Sequence, residues 1–280
     1  MTSHPEPPAK VLTKFNVHTP VFAAKSGIAT IWKVLRNDSK AAALKIYTDG
    51  DIKNEGPGFS LLRNLNGKGA AKLYGVKDGA ALMEWLDGPS LGDLTRNGQD
   101  AKANRLLIKT ACKIHATEIS TLSDLPNLND WFIALDQGST PPNWSAQTHH
   151  NMQRARTLAA DLLAKQSDIR PLHGDFHHDN IKRGTRGYLA FDAKGVIGDR
   201  AFELANAFRN PLGADVTVQN PRRIKHIAQL WGQAFEVPSS RLLSWACAFS
   251  ALSLTWHLND GEEPDPVMLN LLFDARDAAE

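Results

Sequence analysis

The pattern of apolar and polar residues before about residue 86 is typical of short strands. Runs rich in β-branched and aromatic residues are separated by turn-forming Gly, Asn, Asp and Ser. Three of these runs, VFAAKS, ATIWKVLR and KAAALKIY, predict an antiparallel meander. The run FSLLRNL then has the spacing of a short amphipathic helix, and AAKLYGV and GAALMEWL predict two further strands.

The pattern changes to helical spacing from Leu94 onward. ANRLLIKTACKIHA repeats apolar residues at helical intervals, and SAQTHHNMQRARTLAADLLAKQ starts with Ser145, whose hydroxyl can cap free N–H groups. The last 60 residues predict two or three more helices. The Gly, Pro and Ser residues of DGPSLGD are suited to a hinge. We therefore predict an α+β protein of two domains, residues 1–86 and 87–280.

The composition fits one large folded domain or two modest ones. The chain has 280 residues, of which 42% are hydrophobic, and this is enough to bury a sizeable core. A formal net charge of +2 argues against a dedicated binder of nucleic acids or of anionic membranes. Any phosphate recognition is therefore expected to be local.

The cysteine content and the N-terminal sequence predict a cytoplasmic protein. Cys112 and Cys247 lie far apart and form neither a disulfide framework nor a zinc ribbon. MTSHPEPPAK lacks the apolar run of a secretory signal, and we expect its prolines to oppose a helix. Leu242–Leu258 is uncharged but includes hydroxyl residues and a His, so it predicts a buried core helix and not a membrane span.

The end of the chain is acidic. Residues 258–280 hold seven acidic residues and a single base, Arg276. Two interpretations of this charge are open. The acids form a solvated helix face, or they form a surface that attracts a cationic substrate.

The residues best suited to chemistry lie between Pro171 and Asp192. PLHGDFHHDNIKR leads through a turn at TRG into the strand YLAF, which predicts a hairpin with polar residues at its open end, among them His173. Phosphoryl transfer needs one carboxylate to accept the proton of the nucleophile, and a second carboxylate and an amide oxygen to hold Mg²⁺. Asp175, Asn180 and Asp192 supply these groups, and H-x-D-x-x-x-x-N matches the catalytic loop of kinases.

A lysine in the strand-rich part strengthens this interpretation. Lys45 lies on the third predicted strand, in AALKIY, the place from which a kinase lysine reaches the α- and β-phosphates. Glu55 could pair with Lys45, which would keep the lysine charged and aimed. Taken without this context, Lys45 would be an exposed strand lysine.

Two motifs, LHGDFHHDNI and FDAKGVIGDRAFELANAFRNP, resemble the aminoglycoside phosphotransferase group of the protein-kinase-like superfamily, in particular its streptomycin 6-kinase and hydroxyurea-resistance kinase branch. The resemblance implies a two-lobed fold, with an antiparallel sheet in the N-lobe, a mainly helical C-lobe, and ATP and Mg²⁺ between them. It implies that Asp175 is the catalytic base and that Asn180 and Asp192 bind Mg²⁺. It also implies that Lys45 contacts the nucleotide phosphates and that Glu55 positions Lys45.

The resemblance extends to the segments that would hold the nucleotide. The run Met83–Leu86 is similar to the linker between the lobes, which implies that backbone groups near Glu84 and Leu86 hydrogen-bond adenine. The glycine-rich loop of kinases is reduced to Ser26 and Gly27, so Ser26 and the N–H groups of a tight turn are expected to cover the phosphates.

The sequence also departs from the kinase pattern. Gly174 stands in place of the Arg of H-R-D, and Asp192 is followed by Ala193 and Lys194 in place of Phe-Gly. We therefore expect an enzyme that is competent without phosphorylation of an activation loop. The Gly-Pro-Gly run after Glu55 weakens the helix that would carry this residue, so a helix beginning near Pro57 is expected.

The acceptor and the reaction have alternatives. The expected acceptor is the hydroxyl group of a small molecule, such as streptomycin or another aminoglycoside, and a cationic one would suit the acidic tail. The scaffold also resembles kinases of amino sugars, fructosamines, choline and homoserine. A non-catalytic ATP-binding pseudokinase would require loss of Lys45, Asp175, Asn180 or Asp192, and all four are present.

A metal alternative rests on three histidines, His173, His177 and His178, which could serve a zinc hydrolase. The pattern lacks the Glu of H-E-x-x-H, and His173 has a simpler interpretation as a structural imidazole bonded to the loop backbone. Asp199 precedes a helical run and could touch substrate, although an N-cap is the simpler interpretation.

Overall fold

The computed structural model of the protein describes residues 6–52, 55–119 and 124–279. Five strands and two helices come first: α1 (Ala9–Phe15), β1 (Val17–Lys25), β2 (Ala29–Arg36), β3 (Ala41–Tyr47), α2 (Gly56–Leu65), β4 (Leu73–Lys77) and β5 (Ala80–Glu84). Helices and short strands follow: α3 (Leu91–Arg96), α4 (Asp100–His115), α5 (Leu128–Gln137), α6 (Ala146–Ala164), β6 (Ile169–Leu172), β7 (Ile181–Gly184), β8 (Gly187–Ala190), β9 (Val196–Asp199), α7 (Asp215–Val218), α8 (Pro221–Phe235), α9 (Ser239–Asn259) and α10 (Val267–Asp277).

The first five strands form one antiparallel sheet in the order β1-β2-β3-β5-β4. This confirms the predicted meander and its two later strands. Leu44 packs on one face of the sheet with Trp32 and Val34, and α1 covers that cluster. Because side chains alternate along a strand, Lys45 points to the opposite face, toward α2 and the rest of the chain.

The N-terminal prolines do not prevent a helix, so that expectation was wrong for the end of MTSHPEPPAK. Helix α1 begins at Ala9, directly after Pro8, which occupies the N-cap position. Proline fixes its own φ and lacks an N–H, but both properties are harmless before the first helical turn. The helix ends at Asn16, whose left-handed conformation caps it.

Helix α9 lies at the centre of the helical part. Every residue from Leu242 to Thr255 is buried, and α6, α8 and α10 pack around the helix. A helix that is apolar on all sides must be covered on all sides, and the predicted core helix is thereby confirmed. Within the described residues, no helix combines the length and the apolar character needed to cross a bilayer.

Two small antiparallel sheets bring the candidate chemical residues together. Strand β7 pairs with β8, which confirms the predicted hairpin, and β6 pairs with β9 to form the second sheet. The loop His173–Asn180 therefore connects the two sheets, and the segment after β8 crosses back beside it. The N–H groups of Lys194 and Gly195 donate to the carbonyl of His173 at 2.8 and 3.1 Å, which fixes the two segments side by side.

The hydrophobic core does not divide at residue 86. One cluster contains Phe59 and Leu61 of α2 together with Trp231 and Trp245 of the helical part, whereas β2 and β3 contribute mainly to a second cluster. The division into residues 1–86 and 87–280 stays a prediction.

Candidate active site

Lys45 is held between two carboxylates in the interior. Its Nζ donates to Glu55 Oε2 at 2.6 Å and to Asp192 Oδ1 at 2.9 Å. Tyr47, two residues further along β3, also donates its hydroxyl to Glu55. Lys194 lies 3.6 Å from the other Glu55 oxygen. The structure thus brings together the lysine, the glutamate and the second aspartate that the sequence singled out.

The charges of this cluster stabilise one another. Burial alone would lower the pKa of Lys45, but the carboxylates of Asp192 and Glu55 hold that pKa above its ordinary value. Burial would likewise raise the pKa of Asp192, and the charge and hydrogen bond of Lys45 keep it below its usual range. Lys45 is therefore a cation and Asp192 an anion at neutral pH.

The start of α2 explains the Gly-Pro-Gly run after Glu55. Glu55 is the N-cap residue, and Pro57 lies in the first turn, where its missing N–H is not needed. A Cβ on Gly58 would lie 1.7 Å from the carbonyl oxygen of Ala193. Glycine at this position therefore lets α2 rest directly on the backbone that follows Asp192, which itself has a φ of 61°.

The carboxylate of Asp175 is oriented by two amides. Asn180 Nδ2 donates to Oδ2 at 2.9 Å, and Asn206 Nδ2 donates to Oδ1 at 2.8 Å. His177 Nε2 lies 3.6 Å from the same Oδ1. Gly174 has a φ of 81°, and a Cβ there would meet the Trp131 ring at 2.9 Å. This explains why glycine replaces the arginine of the kinase pattern.

The carboxylate of Glu203 holds the backbone of this loop in place. It is buried and accepts from the backbone N–H groups of His173 and Gly174 at 3.0 and 3.3 Å, and it is 2.9 Å from His115 Nε2. Asp199 caps the helical turn Arg200–Leu204, which contains Glu203, by accepting from Ala201 N, and this confirms the N-cap interpretation.

The three histidines of the loop have different partners. His173 Nε2 donates to the Phe191 carbonyl at 3.0 Å, which confirms its structural interpretation, and buried His178 contacts Asn104 at 3.1 Å. His177 Nδ1 instead accepts from Asp179 N. Among the described residues, no three His, Cys, Asp or Glu side chains are arranged to hold a metal ion. The three histidines therefore do not form a zinc site in the described part of the chain.

A cavity of about 290 Å³ lies between the sheet and the helical part, on the Lys45 side. Four of the other residues predicted to contact nucleotide or metal also line it, namely Ser26, Glu84, Leu86 and Asp192. Gly27 does not line the cavity, and no atom lies within 4 Å of the position of a Cβ on it. Met83, Trp85, Lys182 and Phe191 complete the pocket with mostly apolar walls.

Two of these side chains are already engaged within the protein. Ser26 Oγ accepts from Ala29 N at 3.1 Å, inside the turn between β1 and β2. Glu84 forms an ion pair with Arg186 and accepts from Lys72 N at 3.0 Å. Glu84 thus fastens the end of β5 to the β7–β8 turn, and its carboxylate faces a protein partner.

A larger cavity of about 1020 Å³ opens on the other side of Asp175. Its walls combine carboxylates with indole rings: Asp124 and Asp130 lie near the start of α5, and Trp131 packs edge to face against Trp256, with ring centres 5.8 Å apart. Lys194, Asn206 and Arg209 line the side next to Asp175.

The acidic tail takes no part in this cavity. None of its described acids, Asp260 to Asp277, is among the lining residues. Asp277 pairs with Arg154 at 2.5 Å, and Glu262 pairs with His257 at 2.6 Å. The negative charge of the cavity therefore comes from a different part of the chain.

The comparison with known proteins agrees with this geometry. A model of the aminoglycoside/hydroxyurea antibiotic resistance kinase family matches residues 14–261. The chain belongs to this family. A streptomycin 3''-kinase of Klebsiella pneumoniae is 34% identical over 233 residues, which cover 81% of this chain and 84% of that protein.

Solved structures show that this kinase has the two-lobed kinase-like fold. A ternary complex of a thermostable mutant of aminoglycoside phosphotransferase APH(4)-Ia with AMP-PNP and hygromycin B matches with a TM-score of 0.64 at 14% identity, over 96% of each chain. The structure of a protein described as a putative fructosamine-3-kinase, from Thermobifida fusca, matches with a TM-score of 0.59 at 15% identity, over 97% of this chain and 98% of that one. The kinase is an ATP-dependent phosphotransferase with a hydroxyl group as acceptor.

The sequence did not indicate every residue that this kinase brings to the site. Asn206 contacts Asp175 from a helical turn 31 positions later in the chain, and the motif that contains it gave no sign of this contact. Asp124, Asp130 and Trp256 come from segments with no recognisable motif. Only the folded chain places them around one cavity.

Proposed function

We propose that the protein transfers the γ-phosphoryl group of ATP to a hydroxyl group of a streptomycin-like aminoglycoside. The observation that carries the proposal is the cavity of about 1020 Å³ that opens onto Asp175 and is walled by two further carboxylates and two indoles. Its size is at the upper end for small-molecule sites, about 300–1,000 Å³. The relative named streptomycin 3''-kinase supports the choice of acceptor.

The walls suit a large cationic sugar derivative. Carboxylates such as those of Asp124 and Asp130 attract ammonium and guanidinium groups and accept charge-assisted hydrogen bonds from them. Indole faces attract cations and cover the apolar faces of sugar rings. Trp131 and Trp256 would therefore hold one ring of the acceptor while the carboxylates bind its charged groups.

Asp175 is proposed as the base of the reaction. Its carboxylate is fixed by Asn180 and Asn206, so it would face the acceptor hydroxyl in one orientation and accept the proton as the oxygen attacks phosphorus. Lys45 would offset negative charge on the nucleotide phosphates, and Glu55 would keep the ammonium in place. Backbone groups near Glu84 and Leu86 would bind adenine, and the turn at Ser26 and Gly27 would cover the phosphates.

The oxygen atoms of Asn180 and Asp192 fit Mg²⁺. Asn180 uses its NH₂ group on Asp175, and this leaves its amide oxygen as an acceptor, while Asp192 is held as an anion. Mg²⁺ prefers oxygen ligands and keeps several waters and phosphate oxygens, so two protein oxygens are sufficient. Bound there, the ion would neutralise charge on the β- and γ-phosphates.

The test is a panel of acceptors with Mg·ATP: streptomycin, other aminoglycosides, amino sugars, a fructosamine, choline and homoserine. We expect streptomycin or a close relative to gain the mass of one phosphoryl group, and NMR would assign the modified hydroxyl. Asp175→Asn should bind AMP-PNP like the wild type and transfer nothing measurable.

Three outcomes would contradict parts of the proposal. Phosphorylation of choline or homoserine alone would show that the proposed acceptor is wrong and that the proposed reaction is right. Full turnover by Asp175→Asn would remove the assignment of the base. Binding of Mg·AMP-PNP with no acceptor modified and no ATP consumed would favour a pseudokinase.

A further inference from the structure

Arg209 is a half-buried cation that lines the larger cavity and has no carboxylate partner among the described residues. It ends the helical turn Asn206–Arg209 and lines the cavity next to Asp175. Its Nε is shielded from solvent and has no hydrogen-bond partner within the described residues. Its Nη2 donates to Asn206 Oδ1 at 3.4 Å, and its guanidinium lies 5.4 Å from the centre of the Phe249 ring.

The other described arginines with a shielded guanidinium nitrogen, Arg200, Arg223 and Arg241, each pair with a carboxylate. Arg223 donates to Asp100 at 2.9 Å, and Arg241 pairs with Asp199. Burial lowers the pKa of Arg209 to about 10, against the attraction of the nearby Asp175 charge, so the guanidinium is still protonated at neutral pH. A shielded charge without a partner is unfavourable, so binding an anion at this position would stabilise the guanidinium.

A cationic acceptor cannot supply the missing anion, but the transferred phosphoryl group can. During transfer, negative charge spreads over its three outer oxygens. Lys45 lies on the nucleotide side of Asp192, and Lys194 is partly neutralised by Glu55 at 3.6 Å. Arg209 is the remaining cation on the acceptor side of Asp175 among the described lining residues.

We propose that Arg209 is a catalytic residue that binds the phosphoryl group during transfer and in the phosphate ester product. In this step the acceptor oxygen bonds to the γ-phosphorus, the bond from that phosphorus to the β–γ bridging oxygen breaks, and ADP leaves. The acceptor proton passes to Asp175. The proposal rests on the reaction class of the proposed function and not on the identity of the acceptor.

The first test compares turnover in Arg209→Met, Arg209→Lys and the control Arg222→Met. Arg222 is exposed, so the control loses the same charge away from the cavity. We expect kcat to fall by about 10³-fold in Arg209→Met, as for the loss of other arginines that stabilise this transition state. Arg209→Lys should recover part of the lost kcat, because an ammonium keeps the charge but lacks the paired N–H donors of the planar guanidinium. A loss smaller than about fivefold, near 1 kcal/mol, would overturn the proposal.

The second test needs no acceptor to be phosphorylated. ADP, Mg²⁺ and aluminium fluoride together mimic the planar phosphoryl group, and AMP-PNP serves as a ground-state control. We expect wild type and Arg222→Met to gain thermal stability from both ligands, and Arg209→Met to gain it from AMP-PNP alone.

This second test separates contact with the phosphoryl group from a purely structural role. If Arg209→Met keeps the full stabilisation by ADP and aluminium fluoride, Arg209 does not bind the phosphoryl group. If stabilisation by AMP-PNP is lost equally in Arg209→Met and Arg209→Lys, the residue maintains the fold and the proposal is wrong. Failure of every acceptor in the panel would leave this result unaffected, so the two proposals fail separately.

Discussion

Glu203 illustrates how one buried carboxylate determines the shape of the loop that carries Asp175. Its oxygens accept from the N–H groups of His173 and Gly174 and lie beside His115. Burial alone would raise the pKa of Glu203, but the hydrogen bond and charge of His115, the charge of His173 and its backbone N–H hold it below the ordinary value of 4.5. The anion is therefore favoured by the folded state.

This pKa shift predicts a pH-dependent contribution to stability. Because the pKa is lower in the folded chain, the contribution is complete above about pH 4.5 and is lost as the pH falls through the folded pKa. Glu203→Gln should lower the free energy of unfolding at pH 7 by about 1–3 kcal/mol, since the two N–H groups lose a charged acceptor. The difference from wild type should shrink as the pH falls below about 4.5.

Urea unfolding at pH 7, 5 and 4 measures this difference. Glu118→Gln, at an exposed acid, is the matched control and should follow the wild type at each pH. A difference between Glu203→Gln and wild type that does not change with pH would show that the charge of Glu203 contributes nothing.

The residues of the candidate site differ in how far the sequence could indicate them. Asp175 and Asn180 lie five positions apart in one loop, so a local pattern was enough to predict them together. Asn206 and Arg209 reach the same place through a later helical turn. Both lie in the FDAKGVIGDRAFELANAFRNP motif, but no spacing within it marks either one as a site residue. A side chain that acts through a tertiary contact leaves no local signal.

At the scale of elements, the first turn of α2 connects Glu55 to the segment after Asp192. Gly58 lies against the carbonyl of Ala193, and Gly195 lies against Pro57, where a Cβ would be 2.5 Å from the carbonyl carbon. Two backbones approach without side chains between them. The position of Glu55 and the position of Asp192 are therefore mechanically coupled.

Gly58→Ala should separate these two segments. The added methyl group cannot fit at 1.7 Å from Ala193 O, so α2 must shift and carry Glu55 away from Lys45. We expect about 1–3 kcal/mol of destabilisation from overpacking. The specificity constant for Mg·ATP should fall by about 10²-fold, as for a displacement of roughly 1 Å at a catalytic centre.

Gly56→Ala is the control, two positions earlier in the same helix. A Cβ there would meet Ile52 Cδ1 at 3.8 Å, an ordinary contact, so activity should be retained. Thermal unfolding and steady-state kinetics of both variants measure the predicted losses of stability and activity. Equal activity of Gly58→Ala and Gly56→Ala would show that α2 and the Asp192 segment move independently.

Helix and strand prediction failed in the place where an element depends on its neighbours. The prolines before α1 suggested an irregular terminus, but the helix starts after the last of them and is stabilised by packing Val11, Leu12 and Phe15 on the sheet. In contrast, α9 could be predicted from its composition alone, because an uncharged run of this length has to be buried.

At the scale of the whole molecule, the change of periodicity in the sequence predicted a strand-rich part followed by a helical part, whereas nothing in the sequence predicted the larger cavity. Its walls come from the start of α5, the loop before β7, the turn after β9 and the middle of α9. No single segment contains the site, so the sequence indicated the phosphoryl-transfer chemistry and not the acceptor.

The continuous core leads to a prediction about unfolding. Leu61 of α2 belongs to the same buried cluster as Trp245 of α9, while Val34 of β2 belongs to the cluster under α1. Since α2 packs on β4 and shares its buried cluster with α9, we expect the whole chain to unfold in a single transition, with calorimetric and van't Hoff enthalpies that agree. Leu61→Ala should lower the stability of that one transition by about 2–5 kcal/mol.

Val34→Ala provides the comparison, because it weakens only the cluster of the N-terminal sheet. If the molecule is one cooperative unit, Val34→Ala and Leu61→Ala both shift the same calorimetric peak, and Mg·AMP-PNP raises it by mass action in each variant. If Val34→Ala instead splits off an earlier peak and leaves the later one in place, the sheet unfolds by itself. In that case nucleotide should stabilise the earlier peak more, because its binding pocket is built largely from the sheet.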